Sequence, residues 1–240
     1  MSKSRAIKII DEKGGLLVFP INNRAEPKSL WSELYPRSSM RWEWDESGDD
    51  RVARLWHLRT ELSLCKEVVY SKWWKGRATF FSRDVFQALL VELAFPEQSR
   101  RSLSEEAQNL LRILEQESPL STKALKKETG LRGRDHEGTY HRALKSLWER
   151  ALIVGYGEVD DGAFPSLAIG ASQLIFDECW ETALHMKPAA GERALQRLFT
   201  EQPLFKKEFD KIKKALGPQR TRTRSSGLIL GKDLFLNPRK

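Results

Sequence analysis

The spacing of apolar and polar positions predicts a mainly helical chain with short β-hairpins. Apolar residues recur every three to four positions over 51–64, 82–95 and 104–117, which is the period of an amphipathic helix. Short β-prone runs flank turn residues near the N-terminus, in IKII-DEKGG-LLVFPI, and again at 67–81 and 152–170. This pattern predicts an α+β fold.

The clearest pattern lies between residues 102 and 172. Ser104 and Ser121 are suited to cap two helices, and a third is expected over 139–150. The β-prone arms LIVGYGEV and AFPSLAIG then flank the turn sequence Asp160-Asp161-Gly162. Three helices followed by a hairpin are typical of a winged helix-turn-helix unit. Because helices and hairpins also alternate elsewhere, a second such unit is compatible with the sequence.

Composition divides the chain into three predicted regions. Residues 1–96 form an N-terminal α+β region with a hairpin at 67–81 and a helix at 82–95, and a polar, basic segment follows it. Residues 102–172 form the winged-helix domain. Residues 173–240 form a C-terminal helical region with a basic linker, GPQRTRTRSSG, and a last segment, LILGKDLFL, that could close as a hairpin.

The charge distribution favours a polyanionic partner. The net charge is +8 with a pI near 9.5, and 205–224 carries eight cations against two acids, whereas 41–50 carries five acids against one arginine. Such asymmetry is typical of nucleic-acid-binding surfaces. Arg220, Arg222 and Arg224 are candidate DNA contacts. A solvated helix face followed by a flexible basic linker would explain the same run.

Composition also excludes several classes of protein. With 40% hydrophobic and 31% charged residues and no apolar run of 18, the chain is expected to be a globular protein without a membrane span. MSKSRAIKII lacks the features of a secretory signal, so a cytoplasmic location is expected. Cys65 and Cys179 are interpreted as separate reduced thiols. No metal-ligand spacing, nucleotide loop or nucleophile elbow occurs, and no cofactor is predicted.

The stretch YSKWWKGRATFFSR, residues 70–83, combines five aromatic residues and four cations with no acid. If Lys75-Gly76 is a two-residue turn, strand alternation gives the hairpin a core face and an opposite face. The core face is then Val69, Ser71, Trp73, Ala78 and Phe80, and the opposite face is Tyr70, Lys72, Trp74, Arg77, Thr79 and Phe81. The opposite face suits either DNA binding with base stacking or cation–π packing against a neighbouring domain.

The third predicted helix is the candidate DNA-recognition element. The side chains on its outward face and in the loop before it are mostly cationic or imidazole groups: Arg132, Arg134, His136, His141, Arg142 and Lys145. Arginine is the commonest donor to phosphates and base edges, so Arg134, Arg142 and Lys145 are the preferred candidate DNA contacts. Arg132 and His141 are further candidates. A winged helix that contacts protein is the alternative. Asp160 and Asp161 disfavour phosphate contact at the wing tip.

The one concentration of carboxylates comprises Glu43, Asp45, Glu46, Asp49 and Asp50. These side chains could supply a general base or oxygen ligands for a divalent cation. The structural interpretation, a helix cap followed by solvated acids, is preferred.

Three segments together resemble a known family. EVVYSKWWKGRATFFSRDVFQALL, the helix-turn-helix and LIVGYGEVDDGAFPSLAIG resemble bacterial winged-helix proteins related to AlkZ, the DNA glycosylases that unhook crosslinked or alkylated bases, over about residues 15–185. The resemblance implies tandem winged helices with a concave, basic DNA-binding surface. It also implies a Gln-x-Gln or Gln-x-Asp motif that positions the attacking water. No glutamine here is followed two residues later by Gln or Asp, so no catalytic residue is assigned.

The sequence therefore predicts a protein that binds double-stranded DNA through winged-helix units and resembles a repair glycosylase without its motif. One alternative is an active glycosylase on alkylated or crosslinked bases that uses other residues, such as the carboxylates of 43–50. A second alternative is a non-catalytic transcriptional or protein-interaction module.

Overall fold

The computed structural model describes residues 2–41, 50–161 and 165–217. In chain order the helices there are α1 (Lys3–Lys13), α2 (Leu30–Leu34), α3 (Asp50–Leu64), α4 (Arg83–Leu89), α5 (Glu97–Arg101), α6 (Glu105–Gln116), α7 (Thr122–Glu128), α8 (Arg134–Glu149), α9 (Ser172–Ile175), α10 (Asp177–Leu184), α11 (Pro188–Glu201) and α12 (Pro203–Leu216). A π-helical turn, Leu90–Ala94, extends α4. The strands are β1 (Gly15–Leu17), β2 (Val68–Ser71), β3 (Thr79–Ser82), β4 (Leu120–Ser121), β5 (Ile153–Val159) and β6 (Ser166–Ala171). The predicted α+β class is confirmed.

One antiparallel sheet contains the six strands that the described residues form, in the order β1-β3-β2-β5-β6-β4. The hairpins β2–β3 and β5–β6 form its two halves. Tyr70 of β2 pairs with Gly155 of β5 where the halves meet. A Cβ atom on residue 155 would lie 2.3 Å from the Tyr70 ring, so this close approach requires glycine.

Both faces of the N-terminal half of the sheet are buried. Val69 and Phe81 belong to a large apolar cluster that reaches Leu216, whereas Tyr70 and Phe80 belong to a smaller cluster with α1 and α3. Every residue of β2 and β3 is consequently buried. Successive side chains of β2 and β3 point to opposite faces of the sheet. Because both faces are buried, these side chains enter two different cores, and neither face is exposed to solvent.

IKII was expected to be the first strand of an N-terminal hairpin. This prediction is wrong, because IKII lies in α1. The Ser2 side chain accepts a hydrogen bond from the Arg5 backbone N–H and caps this helix. Ala6 and Ile10, one turn apart, are both fully buried. Gly14, with φ at 74°, ends the helix. The second arm supplies β1, which pairs with β3.

The predicted hairpin at 67–81 is confirmed, but its register is shifted by one residue. Tyr70 pairs with Phe80, and Ser71 pairs with Thr79. The strands stop there, so residues 72–78 form a longer loop in place of the expected two-residue turn. Because side chains alternate along a strand, the shift exchanges the faces of β3 relative to β2: Thr79 and Phe81, and not Phe80, share a face with Val69 and Ser71.

Between 102 and 172 the elements follow the order α6, β4, α7, α8, β5 and β6. Ser104 and Ser121 cap α6 and α7, as expected, by accepting hydrogen bonds from backbone N–H groups. The hairpin of β5 and β6 is also confirmed, and β4 pairs with the outer side of β6. Helix α8 begins at Arg134 and not at the expected Thr139, so Arg134 is helical.

Residues 172–217 are helical, as expected for the C-terminal region. The single helix predicted over SQLIFDECWETALHM is divided at Phe176, where ψ is 52°. Helices α11 and α12 begin at Pro188 and Pro203, a residue type that fits the first helical position. The basic linker and the last predicted hairpin, in 218–240, lie outside the described residues.

The division of the chain into three regions stays a prediction. The sheet continues across the expected boundary at 96–102, because β2 pairs with β5. A search of the described segments found no helix with both the length and the apolar character of a membrane span.

Candidate nucleic-acid interface

A concave pocket of about 790 Å³ lies where the loop 72–78 meets α7, α8 and α12. Lysines supply most of its charged lining, and we call it the lysine pocket after Lys72, Lys75, Lys123, Lys126, Lys145 and Lys211. Its other lining residues include His141, Tyr140, Trp148 and a single carboxylate among the described residues, Glu208. Glu208 is itself bound to Lys211 at 3.1 Å. The pocket therefore concentrates positive charge contributed by four segments of the chain.

Three of the predicted contact residues line this pocket, namely Lys72, His141 and Lys145. Arg134 lies outside it but is exposed on α8, seven residues before His141. Seven residues are about two helical turns, so Arg134 and His141 share one face of α8 about 10 Å apart. Arg134 thus extends the positive charge of the pocket along the helix.

The remaining described arginine candidates lie elsewhere on the surface. Arg142 is exposed, about 100° around α8 from His141, and donates a hydrogen bond to Thr139 Oγ1 at 3.0 Å. Arg77 and Arg132 are also exposed but do not line the pocket. The candidates Arg220, Arg222 and Arg224 lie outside the described residues, as does the acidic stretch 43–49. Asp50 is the first residue of α3.

The mixed aromatic and cationic face expected on the hairpin is absent from the described structure. Tyr70, Trp74 and Phe81 are 1%, 4% and 0% exposed, respectively. Trp74 stacks on Phe205 of α12 with 5.8 Å between ring centroids, and Lys75 lies 4.8 Å from the Trp74 ring. Trp74 therefore packs inside the protein, against α12. The cation over its ring is Lys75, whereas Lys72 and Arg77 were expected there.

The two tryptophans of the loop 72–78 fix its position. Trp73 donates its indole N–H to the Glu149 carbonyl at the end of α8, at 3.1 Å. Trp74 donates its own to the Leu204 carbonyl at the start of α12, at 3.3 Å. Because a buried indole N–H needs an acceptor, these bonds explain why the chain leaves the strand pairing after Ser71. They also hold Lys72 and Lys75 at the pocket.

A second set of contacts fixes α7 to α8. Lys126 of α7 donates to both carboxylate oxygens of Glu137, at 2.7 Å each, and His141 Nε2 lies 2.7 Å from the same carboxylate. These hydrogen bonds lower the pKa of Glu137. The Lys126 ammonium also lies 4.8 Å from the ring of Tyr140, whose pKa is raised by burial. Lys126 of α7 and His141 of α8 are thereby held on one side of the pocket.

Asp161 connects the β5–β6 hairpin to the start of α7. Its carboxylate accepts hydrogen bonds from Ser121 Oγ at 2.5 Å and from Ser166 Oγ at 2.6 Å, which lowers its pKa. Lys123 donates to the Asp161 carbonyl at 2.5 Å. Asp161 therefore has a structural role near the turn, where the sequence indicated only repulsion of phosphate.

Sequence reasoning missed four lysines of the pocket, Lys75, Lys123, Lys126 and Lys211. The spacing of Lys123 and Lys126, three residues apart, would have placed both on one face of α7. Lys211 was part of the basic run 205–224 but was not singled out. Two other lysines of that run also pair with carboxylates, Lys206 with Asp210 and Lys213 with Glu92, but they do not line the pocket.

The described residues offer no group of three or more His, Cys, Asp or Glu side chains that could hold a metal ion. In the pocket itself, the charge and hydrogen-bonding groups are those that bind oxyanions. Lysine ammonium groups act there as point charges that neutralise phosphates.

Comparison with protein families gives a match over most of the chain. The model of a family described as AlkZ related matches residues 2–215, nearly the whole of the described chain. No curated protein and no solved structure matches the chain. The matched range includes the hairpin, the lysine pocket and all helices from α1 to α11. The chain belongs to the AlkZ-related family.

Proposed function

We propose that the protein binds double-stranded DNA through the lysine pocket and the adjoining face of α8, as a winged-helix relative of DNA-repair glycosylases. The observation that carries this proposal is the convergence of six lysines from four segments on one pocket. Among the described residues a single carboxylate, Glu208, lines it and is bound to Lys211, and two lysines, Lys126 and Lys145, pair with carboxylates outside the lining. Duplex DNA is a dense line of negative charge, and lysines that neutralise its phosphates release bound counterions.

The order of elements from α6 to β6 supports a winged helix as the DNA-binding unit. In such a unit the third helix enters the major groove, and that helix would be α8. The lysines of the pocket would then contact phosphates and position the protein. Arg134, with Arg142 at its side, would be available to base edges. DNA binding also agrees with the cytoplasmic location expected from the sequence.

Membership of the AlkZ-related family supports a second candidate function, excision of an alkylated or crosslinked base. None of the eight glutamines of this chain stands in a Gln-x-Gln or Gln-x-Asp motif, so other residues would have to activate the water. Release of the base from a modified duplex, followed by alkaline cleavage of the strand, tests this activity. Absence of any released base over a broad lesion panel would leave binding alone.

Charge removal at the pocket tests the binding proposal. The triple variant Lys75→Gln, Lys123→Gln and Lys145→Gln removes three exposed cations from the loop 72–78, α7 and α8. The control is a second triple variant, with Arg5→Gln, Lys8→Gln and Arg54→Gln. It removes the same charge from exposed positions of α1 and α3 that do not line the pocket. Fluorescence anisotropy with a labelled duplex measures the affinity of each.

We expect the pocket variant to bind on the order of tenfold more weakly, or worse, and the control variant to stay close to wild type. Equal losses in both variants would mean that only net charge matters. Wild-type affinity in the pocket variant would exclude the lysine pocket as the binding site. Circular dichroism and thermal unfolding of all three proteins confirm that they fold alike.

A further inference from the structure

Lys72 differs from the other lysines of the lysine pocket because its ammonium has no partner among the residues that the structure describes. Within the described part of the chain it has neither a carboxylate, a carbonyl nor an aromatic ring in contact. Each of the others has one: Lys126, Lys145 and Lys211 pair with carboxylates, Lys123 donates to a backbone carbonyl, and Lys75 lies over an indole ring.

The backbone around Lys72 is held on both sides. Lys72 follows directly on β2, whose last residue, Ser71, accepts a hydrogen bond on Oγ from the Trp73 backbone N–H at 3.1 Å. Trp73 is 1% exposed and is bonded through its indole to α8. The backbone of Lys72 is therefore held in the wall of the pocket, and the residue is half-buried there.

Burial and one neighbouring cation favour the neutral form of Lys72. Arg59 of α3, which is itself paired with Glu158, is close enough to act on it. Five other lysines line the same pocket, and three of them, Lys126, Lys145 and Lys211, are paired with carboxylates. Glu208 is the carboxylate of the lining, and it is bound to Lys211. Burial, and then the charge of Arg59, lower the pKa of Lys72. A desolvated lysine beside another cation is a more effective nucleophile at neutral pH than a free one.

We infer that Lys72 is an amine nucleophile for the aldehyde carbon C1′ of an abasic deoxyribose in DNA held by the lysine pocket. This inference rests on the proposed DNA binding. The neighbouring lysines would hold the phosphates on either side of the sugar, and Lys72 would reach the carbon between them. An abasic sugar is the product left by hydrolysis of an N-glycosidic bond, so a base-excising reaction would supply this substrate.

The reaction balances without an oxidant or a reductant. The Nζ lone pair adds to C1′, and the carbinolamine loses water to give a protonated imine. A water molecule takes a proton from C2′, the bond between C3′ and its phosphate oxygen breaks, and the electron pair leaves with that phosphate. Hydrolysis of the imine then returns the Lys72 amine and leaves an unsaturated aldehyde on the upstream strand fragment.

Borohydride trapping tests this inference on the full chain. A labelled duplex with one abasic site is incubated with the protein and sodium cyanoborohydride, which reduces the imine to a stable secondary amine. Denaturing electrophoresis detects the covalent adduct, and mass spectrometry of its peptides locates the modified lysine. Lys72→Arg keeps the positive charge but removes the nucleophile, and Lys8→Arg is the control outside the pocket.

We expect an adduct at Lys72 in wild type and in Lys8→Arg, and its loss in Lys72→Arg. An adduct that maps to another lysine, or that persists in Lys72→Arg, would overturn the inference. Anisotropy with the same duplex and no reductant separates the two proposals. Binding without an adduct contradicts the role of Lys72 alone, whereas no binding by wild type contradicts the proposed function and this inference with it.

Discussion

Gly155 and Tyr70 are the residues at which the two halves of the sheet meet. Their pairing joins β2 to β5, and the Tyr70 ring occupies the space where a side chain at 155 would begin. The aromatic ring is 1% exposed and packs edge-on against Phe80, with 5.3 Å between centroids. A residue that looks like a stacking platform in the sequence is therefore a structural element of the sheet.

Gly155→Ala is expected to destabilise the protein by about 1–3 kcal/mol, because the added methyl group overpacks a site already filled by Tyr70. Urea unfolding followed by circular dichroism measures this change in the free energy of unfolding. Gly138→Ala, in the exposed part of α8, is the matched control. There the nearest atom is the flexible end of Arg142 at 3.2 Å, so the control should be neutral or stabilised by up to about 1 kcal/mol. A neutral Gly155→Ala would contradict the close approach of the strands.

At the scale of elements, α11 is tied to the N-terminal part of the chain by Glu201. Its Oε2 accepts hydrogen bonds from Lys13 Nζ at 3.0 Å and from Lys28 Nζ at 2.8 Å. The adjacent Gln202 is fully buried, accepts the Lys28 backbone N–H and donates to the Gly15 carbonyl. These contacts place the end of α11 beside α1 and β1.

Glu201→Gln is expected to cost about 1 kcal/mol of stability at pH 7, because it removes the charge that both lysines share. The hydrogen bonds lower the pKa of Glu201 below its ordinary value of 4.5. Its stabilisation is therefore fully present above pH 4.5 and is lost as the pH falls through the lowered pKa of the folded state. Urea unfolding at pH 7 and at several values below pH 4.5 should show the difference from wild type shrinking.

Glu181→Gln, at an exposed position of α10, serves as the control. We expect it to change the free energy of unfolding by no more than about 0.5 kcal/mol at any of these pH values. A deficit in Glu201→Gln that is the same at both ends of the pH range would indicate lost packing and not a lost ionic contact.

The elements that the sequence predicted best are those with one apolar face and a recognisable cap or turn. Ser104 and Ser121 identified the starts of α6 and α7, and the two arms around Asp160-Asp161-Gly162 identified β5 and β6. IKII was misassigned because β-branched residues favour strands locally, although the spacing of Ala6 and Ile10 fits a helix that buries one face.

The candidate site was less predictable for a physical reason. Lys72, His141 and Lys145 were predicted from local patterns, but Lys75, Lys123, Lys126 and Lys211 become neighbours only through tertiary packing. The hairpin register also depended on Trp73 and Trp74 finding distant carbonyl acceptors, at Glu149 and Leu204. Such long-range partners leave no periodic signal in the sequence.

At the scale of the whole molecule, the aromatic side chains and the cations of YSKWWKGRATFFSR have separate roles. The tryptophans connect the loop 72–78 to α8 and α12, with Phe205 packed 5.8 Å from both rings. The lysines beside them line the pocket between the same helices. The fold thus brings cations from distant parts of the chain to one concave surface, which is the arrangement that phosphate binding requires.

The salt dependence of duplex binding tests this central claim most directly. Affinity is measured by anisotropy at several salt concentrations for wild type, the pocket triple variant and the charge-matched control of α1 and α3. Each phosphate contact contributes about 0.9 to the slope of log affinity against log salt concentration, so loss of three contacts should make the slope shallower by about 2.7. We predict that change for the pocket variant and an unchanged slope for the control. Salt-independent binding by wild type, or the same slope in all three proteins, would contradict DNA binding by the lysine pocket.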